Sequence, residues 1–230
     1  MATSSLLLLV ADGRFPAGAH AHSGGLEAAV AAGRVTDLVT LEAFLAGRLA
    51  TAGLVGAAFA AAAHRAVTSA GSAVRGSALA LLDAELDART AAPALRTVSR
   101  RQGRALLRAG RAIWPEASFD DLPSTAGGAH QPLVLGLLCA AAGLSRAETA
   151  TVAVHGTVTG AASAAVRLLG LDPYRVQALL VGLAGLCDGT AAEAARAADD
   201  PPERLPPAAA PLADIHAEAH ATWEVRLFAS

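Results

Sequence analysis

Alanine and leucine dominate this chain, and apart from valine it has almost no β-branched runs. Those two residues lead the helix-forming scale, and the sequence contains no alternation of strand-like and helical segments. The expected fold is therefore all-α. At 230 residues, length alone permits one large domain or two small ones. No repeat and no break in composition divides the helices. The reading is a single helical-bundle-like domain over 1–198, a Pro-rich connector over 199–211, and a C-terminal docking helix and tail over 212–230.

All 18 basic side chains are arginine, because the chain has no lysine. That removes a P-loop lysine, a Schiff base and a lysine general base. No GxxxxGK or GxGxxG pattern follows a strand-like run, so nucleotide binding by this chain alone is not expected. A formal net charge of -2 gives no electrostatic footprint for nucleic acid. The apolar run 49–63 is flanked by Arg48 and His64 and is shorter than the roughly 20 residues a membrane span needs. Residues 4–10 lack a basic n-region and do not read as a signal peptide. The chain reads as soluble and cytoplasmic, with Cys139 and Cys187 as buried, reduced thiols.

Taken in order, residues 4–11 form a short apolar helix and 26–32 another, ended by Gly33. Thr36 or Thr40 caps a long segment over 41–67; with Thr40 as cap, Ala43 at N3 leaves no capping box. That segment is softly broken by Gly47, Gly53 and Gly56. A small-residue loop follows over 68–76, then a helix over 78–86 with Asp83, Glu85 and Asp87 solvated. Pro93 starts the next helix, and Trp114 with Pro115 stops it. On it Arg96, Arg100, Arg104, Arg108 and Arg111 share one face. Few acidic residues stand four positions away, so their partners lie elsewhere in the fold or on another protein. Gly103 in that helix points to close packing. Residues 118–131 read as a loop and 132–142 as an apolar, buried helix. Ser145 and Glu148 match a capping box for a helix ending at Gly170, in which His155 reads as a hydrogen-bonded core residue. Asp172 with Pro173 starts a helix reaching about residue 198, and 212–224 is the last.

The richest stretch is DGRFPAGAHAHSGGLE, residues 12–27. Pro16 fixes φ, and Gly18, Gly24 and Gly25 permit positive φ. Ser23 is placed to cap the following helix and Glu27 to favour its N-terminus electrostatically. A loop so rich in special backbone residues and polar donors is the first candidate for a functional surface. Imidazole and carboxylate suit nickel, zinc or copper, so His20, His22 and Glu27 are candidates for a transient nickel contact. Two histidines do not close a structural site, and the alternative is that one of them orders the loop by hydrogen bonding while the other is exposed. Ser23 beside His22 lacks a GxSxG context and an acid partner, so a hydrolase is not expected. The tail over 225–230 joins apolar anchors to a terminal charge; it reads equally as a docking motif or a frayed end.

The segment LLLLVADGRFPAGAHAHSGGLEAAVAAGRV resembles the N-terminal signature of the urease accessory protein UreF family. Pro16, Gly18, His22, Ser23, Gly25, Leu26 and Glu27 fit its pattern. Arg101-Gln102-Gly103 is similar to the family's central motif. His130 with its apolar helix and His155-Gly156 also look like family positions, and His220 with Arg226, Leu227, Phe228 and Ser230 resembles its C-terminal end. Ala21 stands where the family often has Phe, and Ala221 where it often has an acid. The Ala-His-x-His-Ser-Gly-Gly form looks like an actinobacterial branch.

The resemblance implies a non-enzymatic, all-α protein of about ten helices that binds the accessory protein UreD (UreH). It also implies recruitment of the GTPase UreG and delivery of nickel to apo-urease, with a homodimer inside the complex. No stably bound cofactor is implied. The tail would dock on UreD, the loop 16–27 would lie near the dimer and GTPase-facing surface, and Glu27 with the histidines would line a nickel path. A stand-alone nickel carrier using His20 and His22 is the other reading.

Overall fold

The computed structural model describes residues 4–69 and 71–228, which carry helices and no strand. In chain order the α-helices are α1 (Ser4–Ala11), α2 (Leu26–Ala31), α3 (Leu38–Arg48) and α4 (Leu54–Ser69). They continue with α5 (Ser72–Arg89), α6 (Pro93–Ile113), α7 (Gln131–Ala141) and α8 (Arg146–Leu169). The last are α9 (Pro173–Gly182), α10 (Ala184–Ala197) and α11 (Pro211–Ala221). Ala229 and Ser230 of the proposed tail lie outside the described residues.

Local signals start and stop most of these helices. Ser145 Oγ accepts the Glu148 N–H while Glu148 accepts the Ser145 N–H, the reciprocal cap expected from their spacing. Asp172 accepts the Tyr174 N–H with Pro173 at the first helical position. Helix α3 corrects the expectation: Asp37, not Thr36 or Thr40, is its cap. Thr40 sits at N3 and its hydroxyl accepts the Asp37 N–H, so a box forms with threonine in the role of Glu.

Between α3 and α4 the chain makes a π-turn over Leu49–Gly53, so the two helices continue as one 32-residue rod. The expected loop over 68–76 is correspondingly mostly helix, because α4 runs to Ser69 and α5 starts at Ser72. Two helices, 38–69 and α8, are long and apolar enough by composition to cross a membrane, which corrects the reading of 49–63 as too short. Arg48 lies inside the rod rather than ending it. Their most apolar windows are 50% and 39% buried against the rest of the protein, so packing accounts for much of their apolar character. The expected single helix from Pro173 to about residue 198 is broken at Leu183, where α9 and α10 meet with a 50° bend.

Helix α4 is the centre of the core, with Val55 and residues 57–64 buried. Helices α7, α8 and α10 pack on it, α6 lies against α7, and α11 lies on α6 beside α2. Close approach of α7 to α4 requires Gly136. A Cβ there would collide with the Ala60 carbonyl and sit 2.8 Å from the His64 nitrogen. Gly103 of α6 has the same role, since its Cβ would collide with the Ala129 carbonyl, as the sequence suggested. The segment 199–211 is anchored. Leu205 is buried, and the Arg89 guanidinium, stacked 5.3 Å from the Phe59 ring, donates to the carbonyls of Pro202, Glu203 and Leu205.

Alanine normally improves on glycine inside a helix by about 1 kcal/mol. Gly136→Ala is expected to do the opposite and cost about 1–3 kcal/mol through overpacking. Gly156→Ala, at a position with nothing within 4 Å of an added Cβ, is expected to stabilise by about 0.5–1 kcal/mol. Urea midpoints of the two variants check this, and equal shifts of the same sign would contradict the packing.

Candidate functional site

Loop 12–25 folds around a buried anchor that sequence reasoning passed over, Phe15. Pro16 is exposed at the turn, and Gly18, Gly24 and Gly25 all adopt positive φ. Gly24 is doubly constrained, because the Arg48 guanidinium lies 2.9 Å from where its Cβ would stand and donates to its carbonyl. The backbone cap of α2 is Gly25, at φ +88°, not Ser23. Ser23 still serves the helix start from two residues upstream, fully buried, with its hydroxyl accepting the Glu27 N–H at 3.2 Å.

Glu27 lies in the first turn of α2, where the sequence placed it, but hydrogen bonds from elsewhere engage its carboxylate. Its buried carboxylate receives the far end of the chain. One oxygen accepts from His220 Nε2 at 2.9 Å and from the Phe228 N–H at 3.0 Å; the other accepts from the Leu227 N–H at 2.8 Å. Burial alone would raise the Glu27 pKa, but the backbone N–H groups and His220 outweigh it and hold the carboxyl below its ordinary value. His220 is buried against Trp223, ring centroids 4.7 Å apart. Phe228 is buried, with the Arg167 guanidinium 4.4 Å from its ring centre. Arg167 also donates to the His20 carbonyl at 3.1 Å, so one side chain ties tail to loop. At Leu227 and Phe228 the tail is thus held on its own chain. Leu227 supplies only its N–H, and its side chain and that of Arg226 are exposed.

The structure brings Ser23, Glu27, His220 and Phe228 into one constellation. It does not assemble His20, His22 and Glu27 into a ligand set. His20 is exposed, and His22 is half-buried and pushed down by burial, by Arg101 and by His20. Among the described residues no group of three His, Cys, Asp or Glu side chains is placed to hold a metal ion. Arg101 is exposed near that loop, Gln102 is half-buried, and Gly103 is the packing contact under the start of α7.

A second polar cluster corrects the expectation that Asp83 is solvated, whereas Asp87, its side chain 42% exposed, keeps one side to solvent. Asp83 is buried, and Arg100 pairs with both carboxylates at 2.9 Å. Asp83 also accepts the His130 N–H, while the buried His130 ring bridges Asp87 and Ser99. Arg100 reaches on to the Gly128 carbonyl, and Arg104 donates to that of Gly127, so several arginines of the α6 face have partners within the fold. His155 is exposed on α8 rather than in the core, at the rim of an open groove between α8 and α9. Cys139 is buried, and its thiol is pushed up to about 12; Cys187 is only half-buried. Arg48, Arg167 and Asp83 had no sequence signal, because their partners lie far along the chain.

His22, His64 and His130 are all held below the usual histidine pKa, chiefly by burial. A histidine kept neutral in the folded state contributes stability above its unfolded pKa of about 6.5 and loses it as pH falls below that. Glu27 and Asp87, held below the ordinary carboxylate pKa, add a further loss at lower pH. The melting temperature is expected to fall between pH 7.5 and 5, and a flat or rising profile would contradict these burials.

Comparison with known proteins places the chain. The UreF family model matches residues 35–184. A urease accessory protein UreF of Mycolicibacterium vanbaalenii is 44% identical over the full length of both chains. One of Mycobacterium marinum is 46% identical over the same span. One of Mycobacterium tuberculosis is 45% identical over 84% of this chain and 86% of its own length.

Proposed function

We propose that this chain, which belongs to the UreF family of urease accessory proteins, is a scaffold that bridges UreD (UreH) and the GTPase UreG. The assembly inserts nickel into apo-urease in the cytoplasm, and hydrolysis on the GTPase gates release of the metal. UreF is an accessory protein of urease maturation and not itself an enzyme. Within the complex it acts as a homodimer.

The observation that carries the scaffold reading is the use made of Glu27. A nickel path that added Glu27 to His20 and His22 would keep that carboxylate open. Here both oxygens are engaged by His220 and the tail N–H groups, in an arrangement that presents a shaped tail rather than a vacant ligand. The folded tail leaves Val225 86% and Leu227 72% exposed, and Arg226 beside them is also exposed. Apolar anchors around an arginine are what protein interfaces favour.

The test is co-purification with the UreD-type protein of the same organism, sized by light scattering, beside a version ending at Glu224. The full chain is expected to form the complex, and the shortened chain to bind at least about tenfold more weakly. No complex with either, together with tight stoichiometric nickel binding by this chain alone, would overturn the scaffold in favour of the nickel carrier.

A further inference from the structure

Arg48, the last residue of α3, is a cation drawn into the fold without a counterion. Its Nη1 donates to the Gly24 carbonyl, and the guanidinium lies 6.0 Å from the centre of the Phe44 ring. Its Nε is out of contact with solvent and has no hydrogen-bond partner. Among the described residues no carboxylate pairs with it, and burial, unopposed by any negative charge, pushes its pKa down to about 10. Other arginines that turn into the fold are compensated, Arg89 by Glu85 and Arg100 by Asp83 and Asp87. Glu27, in the helix that follows the loop, is not available to Arg48, because His220 and two tail N–H groups engage both its oxygens. An enclosed charge without a partner is costly, and the cost falls when an opposite charge reaches it.

The backbone beside the guanidinium adds further donors. Arg48 Nη2 lies 2.9 Å from where a Gly24 Cβ would stand, so the charge sits directly against the loop backbone. Gly24 and Gly25 are half-buried, and their N–H groups have no acceptor among the described residues. Open space adjoins Gly25, since nothing lies within 4 Å of an added Cβ there. We infer that Arg48 and the Gly24–Gly25 backbone form a binding site for a small free oxyanion of the carboxylate or phosphate kind. The planar guanidinium fits such an ion, and charge-assisted hydrogen bonds to it are the strong ones. A free ion suits this place better than a protein surface, which would have to displace the loop that Nη1 holds. Bound there, the ion neutralises Arg48 and ties loop 12–25 to α3 by charge. The site is independent of the scaffold reading.

The experiment titrates the isotope-labelled full chain with sodium phosphate and, separately, with sodium acetate, each against sodium chloride at matched ionic strength. The amide signals of Gly24 and Gly25 are expected to shift saturably with phosphate, acetate or both, and not with chloride; the salt that acts identifies the kind of oxyanion. In Arg48→Met the apparent affinity should fall at least about tenfold. Arg48→Lys, which keeps the charge but not the fork, should bind with intermediate affinity. Arg108→Met, which removes an exposed arginine of α6, should leave the response unchanged. The melting temperature of the unmodified chain should rise with the active salt by more than that of Arg48→Met, beyond the general salting effect that both share. Absence of a saturable shift at Gly24 and Gly25 in the unmodified chain, an equal shift with chloride, or a response that survives in Arg48→Met overturns the site. Should Arg48→Met not fold, the unmodified chain and Arg48→Lys decide by the same signals, and equal affinity of those two overturns the site.

Discussion

One carboxylate holds the two ends of this chain together. Glu27 accepts hydrogen bonds from partners 193, 200 and 201 residues away, and all three meet at its largely buried carboxylate. Burying an ionised carboxylate is costly unless donors replace its hydration. Hydrogen bonds to a charged group are worth about 1.5–3 kcal/mol each, and three of them offset that cost. The exchange works in both directions. A tail that leaves exposes an uncompensated carboxylate, and a loop that moves strands the tail's N–H groups. The positions of loop and tail are therefore coupled, and Arg167, stacked on Phe228 while donating to His20, strengthens the coupling.

The rest of the fold uses arginine in a consistent way. With no lysine available, the forked guanidinium ties loop carbonyls to the helical frame. Arg48 holds Gly24, Arg100 and Arg104 hold Gly128 and Gly127, and Arg89 gathers three carbonyls from 202–205. Loops that carry unpaired carbonyls are thereby fixed against a core of small side chains, in which glycine and alanine allow helices to approach closely. A scaffold that presents surfaces to several proteins needs such fixed loops, because a flexible one loses affinity each time it must be ordered.

Features governed by neighbours within four residues were legible in the sequence. The Ser145–Glu148 box, the Asp172–Pro173 start and the Gly170 stop all follow from local chemistry, and so does the buried character of α7. Asp37 was missed because threonine at N3 replaced the usual Glu in the box. Features governed by distant partners were not legible. Asp83 read as solvated because Arg100 and His130 sit on other elements. His155 read as a core residue because its helix is rich in Ala and Val, yet its own position falls on the outer face. The resemblance pointed to Glu27, His220 and Phe228 separately, but no spacing rule joins residues some 200 positions apart.

The most direct test is amide hydrogen exchange at Leu227 and Phe228 in the full chain and in Glu27→Gln, at neutral pH. If the carboxylate holds the tail, both amides are protected in the unmodified protein, and in the variant they exchange at least about tenfold faster while Val134 and Leu138 of α7 are unchanged. Free exchange at 227 and 228 in the unmodified protein, or protection that survives Glu27→Gln, would contradict it.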